Sequence, residues 1–324
     1  MIRRILVPLD GSAIAERALD HAVAVGKALG ADAILARVVD PGRIGGLTRD
    51  AVEWRLQHAE SVSYLEAQAL RVRAAGLAIE VEVLEGRAAE KIVDVARARQ
   101  VDLIVLSRHG QNGAMDFVLG GTAQKVISGA GVSILLVRDG EAKRSAGEGA
   151  PYGRIMVPCD CSPRGEWALC LAAALARAHG AELYVVHVIP KPQTPDRLPA
   201  GGAERDLRRA LLGASRRSAR RYVQAMERKL AAPDLRIRTE FVASSQVPRA
   251  LHEKAMKEGV DLLVVSAHGA SGPSPWPYGS VTCNLLHYSR VPVLVLQDLP
   301  LRPPVTAREE SHHSLALAGN GAGP

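Results

Sequence analysis

The feature that most constrains this chain is that it repeats itself. "RRILVPLDGSAIAERALDHAVAVGKALGADAILARVV" begins at Arg3, and "GRIMVPCDCSPRGEWALCLAAALARAHGAELYVVHVI" begins at Gly153; the two align without a gap at an offset of 150. Farther on, "VDLIVLSRHG" (Val101–Gly110) matches "VDLLVVSAHG" (Val260–Gly269) at an offset of 159, and "VSILLV" (Val132–Val137) matches "VPVLVL" (Val291–Leu296) at the same offset. A duplication on this scale means one folding unit used twice. The second copy has gained nine residues, expected between Pro190 and Ser215, where "KPQTPDRLPAGGAERD" has the Pro and Gly content of an expanded loop.

Each copy alternates strand and helix signals. In the first, the predicted strands are Ile5–Leu9, Ala33–Val39, Ile79–Leu84, Leu103–Ser107 and Val132–Val137. Between them the pattern predicts helices over about 13–29, 51–75, 88–99 and 123–128. Such alternation implies a parallel sheet covered by helices on both faces. Composition agrees: aromatics are 3% against 47% hydrophobic residues overall, so Ala, Val, Leu and Ile must build the cores. Ser12 and the pair Ser162-Pro163 are predicted to cap the first helix of each copy. The expected organisation is a first domain over 1–138, a polar linker over 139–152, a second domain over 153–298 and a disordered tail over 299–324. A chain of this length has room for two such domains, each with its own core.

The N-terminus runs straight into a strand pattern without signal-peptide character, and no segment approaches ~18 uncharged apolar residues. A cytoplasmic protein without membrane contact is expected. The formal charge of +7 concentrates in Glu204–Lys229, where Arg208, Arg209, Arg216, Arg217, Arg220 and Arg221 crowd together. Leu207, Leu211, Ala214, Tyr222, Met226 and Leu230 recur there at helical spacing, so a solvated basic helix is expected. No stacking aromatics are interleaved with the arginines, and nucleic acid is not an expected partner.

Two loops carry the chemistry. Gly110 is followed by nine residues and then Gly120-Gly121, and Gly269 by nine residues and then Gly279-Ser280. Both follow a predicted strand, and Asp10 and Asp160 stand just past the first strand of each copy. In open parallel sheets ligands sit beyond the carboxyl ends of the strands. Glycines there let backbone N–H groups approach an anion, and Ser280 near a helix N-terminus offers a hydroxyl to a phosphate. The same glycines would serve simple turns equally well.

"ILVPLDGS", "IMVPCDCS", "VHVI" at Val186–Ile189, "VDLLVVSAHG" and the Gly-x9-Gly-Ser spacing together resemble the universal stress protein family in tandem-domain form, over almost everything from Met1 to Asp298. The resemblance implies two Rossmann-like (flavodoxin-like, HUP-type) domains, each a five-stranded parallel sheet of order 3-2-1-4-5 flanked by helices. It also implies ATP, with or without magnesium, as the cofactor. Carried over by position, Asp160 stands near the ribose and phosphates, Val188 meets adenine through its backbone, and Gly269, Gly279 and Ser280 form the phosphate loop. Pro158, Ser266, His268 and Val281, which flank these positions, are further candidate nucleotide-binding residues on the same resemblance. Asp10, Val38, Gly110, Gly120 and Thr122 are the first-half candidates.

The chain departs from the family pattern at informative places. Ser107 and Ser266 replace the first loop glycine, and Gly121 stands where a hydroxyl residue belongs, with Thr122 one place late. The second loop, "ASGPSPWPY", carries Pro273, Pro275 and Pro277, while Trp276 and Tyr278 would either wall a ligand or fill the crevice. Because Ser280 keeps the hydroxyl, the nucleotide site is expected in the second half.

Other constellations are weaker. Cys159-Asp160-Cys161 lacks the spacing of a redox helix or a second metal-ligand pair, with Cys161 the candidate reactive thiol and Cys170 expected on a buried helix stripe. His109 and His268 have no nucleophile arranged beside them, and the His312-His313 pair in the tail supplies too few metal ligands. No Gly-x4-Gly-Lys-(Ser/Thr) phosphate loop exists, so rapid ATP hydrolysis is not expected. The alternatives are a nucleotide-free interaction module whose halves form an intrachain pseudo-dimer, and a slow ATPase or other enzyme acting on an adenine-containing substrate. The last strand of each half is the expected contact, between the halves or with a second chain.

Overall fold

The computed structural model describes residues 2–40, 51–110, 119–138, 152–191, 202–270 and 277–297. In the first half the elements are β1 (Arg4–Pro8), α1 (Ala13–Leu29), β2 (Asp32–Val39), α2 (Ala51–Ala74), β3 (Ile79–Glu85), α3 (Ala88–Ala98), β4 (Leu103–Ser107), α4 (Gly121–Gly129) and β5 (Ser133–Val137). The second half repeats them as β6 (Arg154–Pro158), α5 (Pro163–His179), β7 (Glu182–Pro190), α6 (Gly202–Leu230), β8 (Arg236–Ser244), α7 (Val247–Lys257), β9 (Leu262–Ser266), α8 (Ser280–Tyr288) and β10 (Val293–Leu296).

The local reasons are visible in each copy. Ser12 Oγ accepts from the Ala15 amide at 3.2 Å and Ser162 Oγ from the Gly165 amide at 3.1 Å, so both predicted caps form. At their far ends α1 and α5 stop on Gly30 and Gly180, at φ 66° and 61°, a left-handed turn that suits glycine. Central strands such as β4 (LIVLS) and β5 (SILLV) are apolar and buried on both faces. The outermost, β3 (IEVEVLE), alternates charge with hydrophobe and is only half buried.

Within each half the sheet is parallel, in the expected order 3-2-1-4-5. The two sheets then join: the full order is β3-β2-β1-β4-β5-β10-β9-β6-β7-β8. β5 and β10 run antiparallel, with Val293 opposite Leu136, Leu294 opposite Leu135 and Val295 opposite Ile134. The last strands therefore satisfy one another within the chain, and that edge is not available to a second copy. The cores also differ from the expectation of one per half. One apolar layer joins α1, α2, α5 and α6 residues over one sheet face, and another joins α3, α4, α7 and α8 over the opposite face. Each layer runs through both halves.

Side chains pin this joint on both faces. Tyr152, the last residue of the expected linker, is buried between α1 and α5; its hydroxyl lies 2.8 Å from His21 Nδ1, and its ring meets His179 edge-on at 5.2 Å. On the opposite face Tyr278 donates to the Ile127 carbonyl at 3.0 Å, and the buried Arg108 guanidinium donates to the His287 carbonyl.

Several expectations change. The register of β7 with β8 runs 158 residues behind that of β2 with β3 (Val38 opposite Leu84, Val188 opposite Val242), so eight inserted residues precede β8 and the ninth lies in the β8–α7 turn. In α6 the buried residues are Ala219, Val223 and Met226, whereas Leu211 and Ala214 are exposed, because the first turns of this helix lie away from the sheet. Cys170 is exposed, since the stripe of α5 that faces the core is Ala168, Leu169, Ala172, Ala173 and Ala176. Residues 139–151 of the linker, residues 192–201, the loop residues Pro273, Pro275 and Trp276, the tail with His312 and His313, and the side chains of Leu207 and Arg208 lie outside the described residues.

Candidate functional site

The β1–β4 and β6–β9 pairings place each aspartate beside its glycine loop. Asp10 Oδ1 accepts from the Ser12 amide at 2.9 Å and from Ser12 Oγ at 2.6 Å. Asp160 Oδ1 accepts from the Ser162 amide at 3.0 Å and its Oγ at 2.7 Å. The second oxygen of each carboxylate reaches the loop: a Cβ on Gly110 would overlap Asp10 Oδ2, and one on Gly269 would overlap Asp160 Oδ2. Asp160 Oδ2 also accepts from the Ala270 amide at 2.6 Å. Each aspartate thus orients the cap of its helix and holds its loop. One glycine per loop is accounted for by that close approach alone.

The second glycines differ between halves. Gly120 donates its amide to the Arg108 carbonyl at 3.0 Å, and a Cβ there would lie 2.9 Å from the same oxygen. Gly279 makes the equivalent bond to the Ala267 carbonyl at 2.8 Å, but a Cβ would meet that oxygen at 3.6 Å, an ordinary contact. Both glycines are helix caps without a side-chain cap bond, because α4 and α8 begin at Gly121 and Ser280. The predicted start near residue 123 is therefore two residues late. Gly121, Thr122, Ser280 and Val281 all fall in first turns, where amides lack intrahelical acceptors.

In the first half these parts surround an open cleft of about 820 Å³. Asp10, Val38, Gly110, Gly120 and Thr122 all line it, so the five first-half candidates come together. Ser107 lines it too, though its hydroxyl turns inward to donate to the His109 carbonyl at 2.6 Å. Sequence reasoning missed seven polar lining residues: Arg37 and Asp40 at the end of β2, Gln57, Glu60 and Ser61 on α2, Arg108 after β4, and Lys125 one turn into α4. Arg37 could have been suspected from its place one residue before Val38. Lys125 could not, because only the true start of α4 sets which face it takes. Ala36, Ala88, Ile92 and Leu106 make the apolar part of the wall. Outside it, Tyr64 donates to Glu16 at 3.0 Å beneath the Arg37 guanidinium, and burial together with that carboxylate raises its phenol pKa. Tyr222 and Glu166 repeat the device at 2.7 Å, with the same effect.

In the second half Pro158 ends β6, Val188 is buried on β7, Ser266 ends β9 and accepts from Thr282 Oγ1 at 2.9 Å, and His268 is buried. Asp160 and Gly269 meet as described, and Gly279, Ser280 and Val281 start α8. At the places of Arg37 and Lys125 this half has His187 and Asn284. Tyr278 is buried, and its hydroxyl donates to the Ile127 carbonyl at the joint. Among the described residues no group of three His, Cys, Asp or Glu side chains could hold a metal, and no helix is long and apolar enough to cross a membrane.

A family model described as the universal stress protein family matches residues 1–138 and again 151–297. A universal stress protein of Thermus aquaticus is 35% identical over 142 residues, 43% of this chain and the whole of that protein. Another, from Methanocaldococcus jannaschii, is 30% identical over 142 residues, 43% of this chain and 83% of its own length. The crystal structure of a universal stress protein from Archaeoglobus fulgidus superposes with a TM-score of 0.63 at 19% identity, covering 91% of this chain and 98% of that one. With two consecutive matches that together span most of its length, this chain belongs to the universal stress protein family as a tandem-domain member.

Proposed function

We propose that the protein binds an adenine nucleotide, ATP with or without magnesium, and uses it as a signal or stabilising ligand. The site we favour is the first-half cleft. One observation carries the choice: there Thr122 and the other first-turn residues of α4, together with Arg37 and Lys125 and beside the carboxylates Asp10, Asp40 and Glu60, line the same cleft as the apolar residues Ala36, Ala88 and Ile92. The polar groups match a phosphate chain and the apolar ones a purine. A volume of about 820 Å³ lies within the usual ~300–1,000 Å³ of small-molecule sites. The sequence expectation favoured the second half on the strength of Ser280, and that half keeps its own glycine frame. Arg37 and Lys125, able to pair with phosphate oxygens, favour the first half, because His187 and Asn284 stand at their places in the second.

Calorimetric titration of ATP with magnesium tests both halves at once. Wild type should bind, Gly121→Asp should weaken binding at least tenfold by setting a carboxylate against the phosphates, and Gly279→Asp should leave the affinity within twofold. Loss by Gly279→Asp alone would move the site to the second half. No heat with wild type, together with no nucleotide released on denaturation, would leave the interaction module as the function.

A further inference from the structure

The two positions flanking the second-half aspartate differ from those of the first half in a way the fold does not require. Where the first half has Leu9 and Gly11, the second has Cys159 and Cys161. Gly11 sits at φ 88°, and Cys161 holds the same left-handed turn at φ 62°, a conformation that disfavours any side chain. Leucine and glycine satisfy the packing and the turn, so the cysteines have another reason to be there.

The structure brings them together. Cys159 is buried at the end of β6, its amide donating to the Val186 carbonyl at 2.9 Å, while Cys161 is half-exposed in the loop. The two thiols flank Asp160 and influence each other's protonation: that influence lowers the pKa of Cys159 and raises that of Cys161, so the pair gives up its first proton more readily than its second. His187 Nδ1 donates to the Cys159 carbonyl at 2.7 Å and lies 3.6 Å from Cys161 Sγ, fixing the strand end beside the thiols. Two Cα atoms one residue apart are at most about 7 Å apart, close to the ~4.4–6.8 Å that disulfides span.

We propose that Cys159 and Cys161 are a dithiol modification site that closes to an intraloop disulfide by exchange with a small-molecule disulfide. One of the two cysteines attacks as thiolate and releases one small thiol, leaving a mixed disulfide. The sulfur of the other then attacks the mixed disulfide at the protein sulfur and releases the second small thiol. One protein S–S bond forms as one small-molecule S–S bond breaks, and the two thiol protons end on the released thiols. Asp160 is enclosed in the resulting ring. Its bonds to Ser162 and to the Ala270 amide depend on the present backbone of residues 159–161, so ring closure loosens the hold on the second glycine loop.

The test uses the full chain carrying Cys170→Ser and Cys283→Ser, beside wild type, equilibrated with oxidised and reduced glutathione. Oxidation should abolish alkylation of both remaining thiols, lower the mass by two hydrogens and leave no glutathione adduct. Persistent alkylation, or a glutathione adduct on either cysteine that never resolves, would overturn the proposal. Exchange of the Ala270 amide should speed up at least tenfold in the oxidised protein and stay unchanged under oxidant in Cys161→Gly, which copies Gly11. A disulfide that leaves this exchange unaltered would overturn the link to the loop. The thiol chemistry does not depend on the nucleotide reading, and a protein that binds no nucleotide still gives one result or the other.

Discussion

Gly120 and Gly279 hold the same place in the two copies for different reasons. The backbone carbonyl of Arg108 leaves no room for a Cβ at Gly120, whereas the carbonyl of Ala267 stands far enough from Gly279 to admit one. Gly120→Ala should therefore cost about 1–3 kcal/mol, lowering the melting temperature by roughly 2–4 °C per kcal/mol. Gly279→Ala should stay within about 0.5 kcal/mol. Chemical denaturation of both variants checks the difference, and equal losses would show that the two loops are built alike. At this scale the sequence was partly legible. The aspartates and loop glycines could be picked out because repetition set them in register. What each glycine touches could not, since the carbonyl that excludes a side chain at Gly120 belongs to a residue twelve positions back in the sequence. Arg37 and Lys125 escaped notice for a related reason: an isolated cation carries no pattern until its helix or strand is placed.

Helices and strands were more legible than their contacts. The periodicity around Ala13–Leu29 and Pro163–His179 identifies α1 and α5, and their serine caps and terminal glycines mark the ends. That the two helices pack together around Tyr152 follows only from the antiparallel meeting of β5 and β10. This packing has a consequence for pH. Burial lowers the pKa of His179 beside Tyr152, and burial with the Arg138 charge lowers that of His252, which faces Asn284. In each case the folded state resists the charged ring. As pH falls through about 6.5, the unfolded chain takes up these protons first, so stability is lost below that pH until the depressed folded values are reached. The urea midpoint should accordingly be lower at pH 5.5 than at pH 7.5, and His179→Gln with His252→Gln should flatten the dependence. An unchanged slope in that double variant would assign the effect to other groups.

For the whole molecule, duplication dictated the architecture, and the join between copies completed it. Two parallel sheets whose last strands pair become one ten-stranded sheet, and the apolar layers on its faces belong to both copies. The repeat made the alternating α/β fold readable, and the family resemblance supplied its strand order. The repeat also drew the eye to the second half, because a retained serine was easier to see than a first-half cleft assembled from β2, α2, α3 and α4. Photolabelling with 8-azido-ATP followed by peptide mapping asks most directly which copy holds the nucleotide. Label that ATP displaces should appear on first-half peptides containing Val38 or Ile92. Label confined to peptides around Val188, or none that ATP displaces, would contradict a nucleotide site in the first-half cleft.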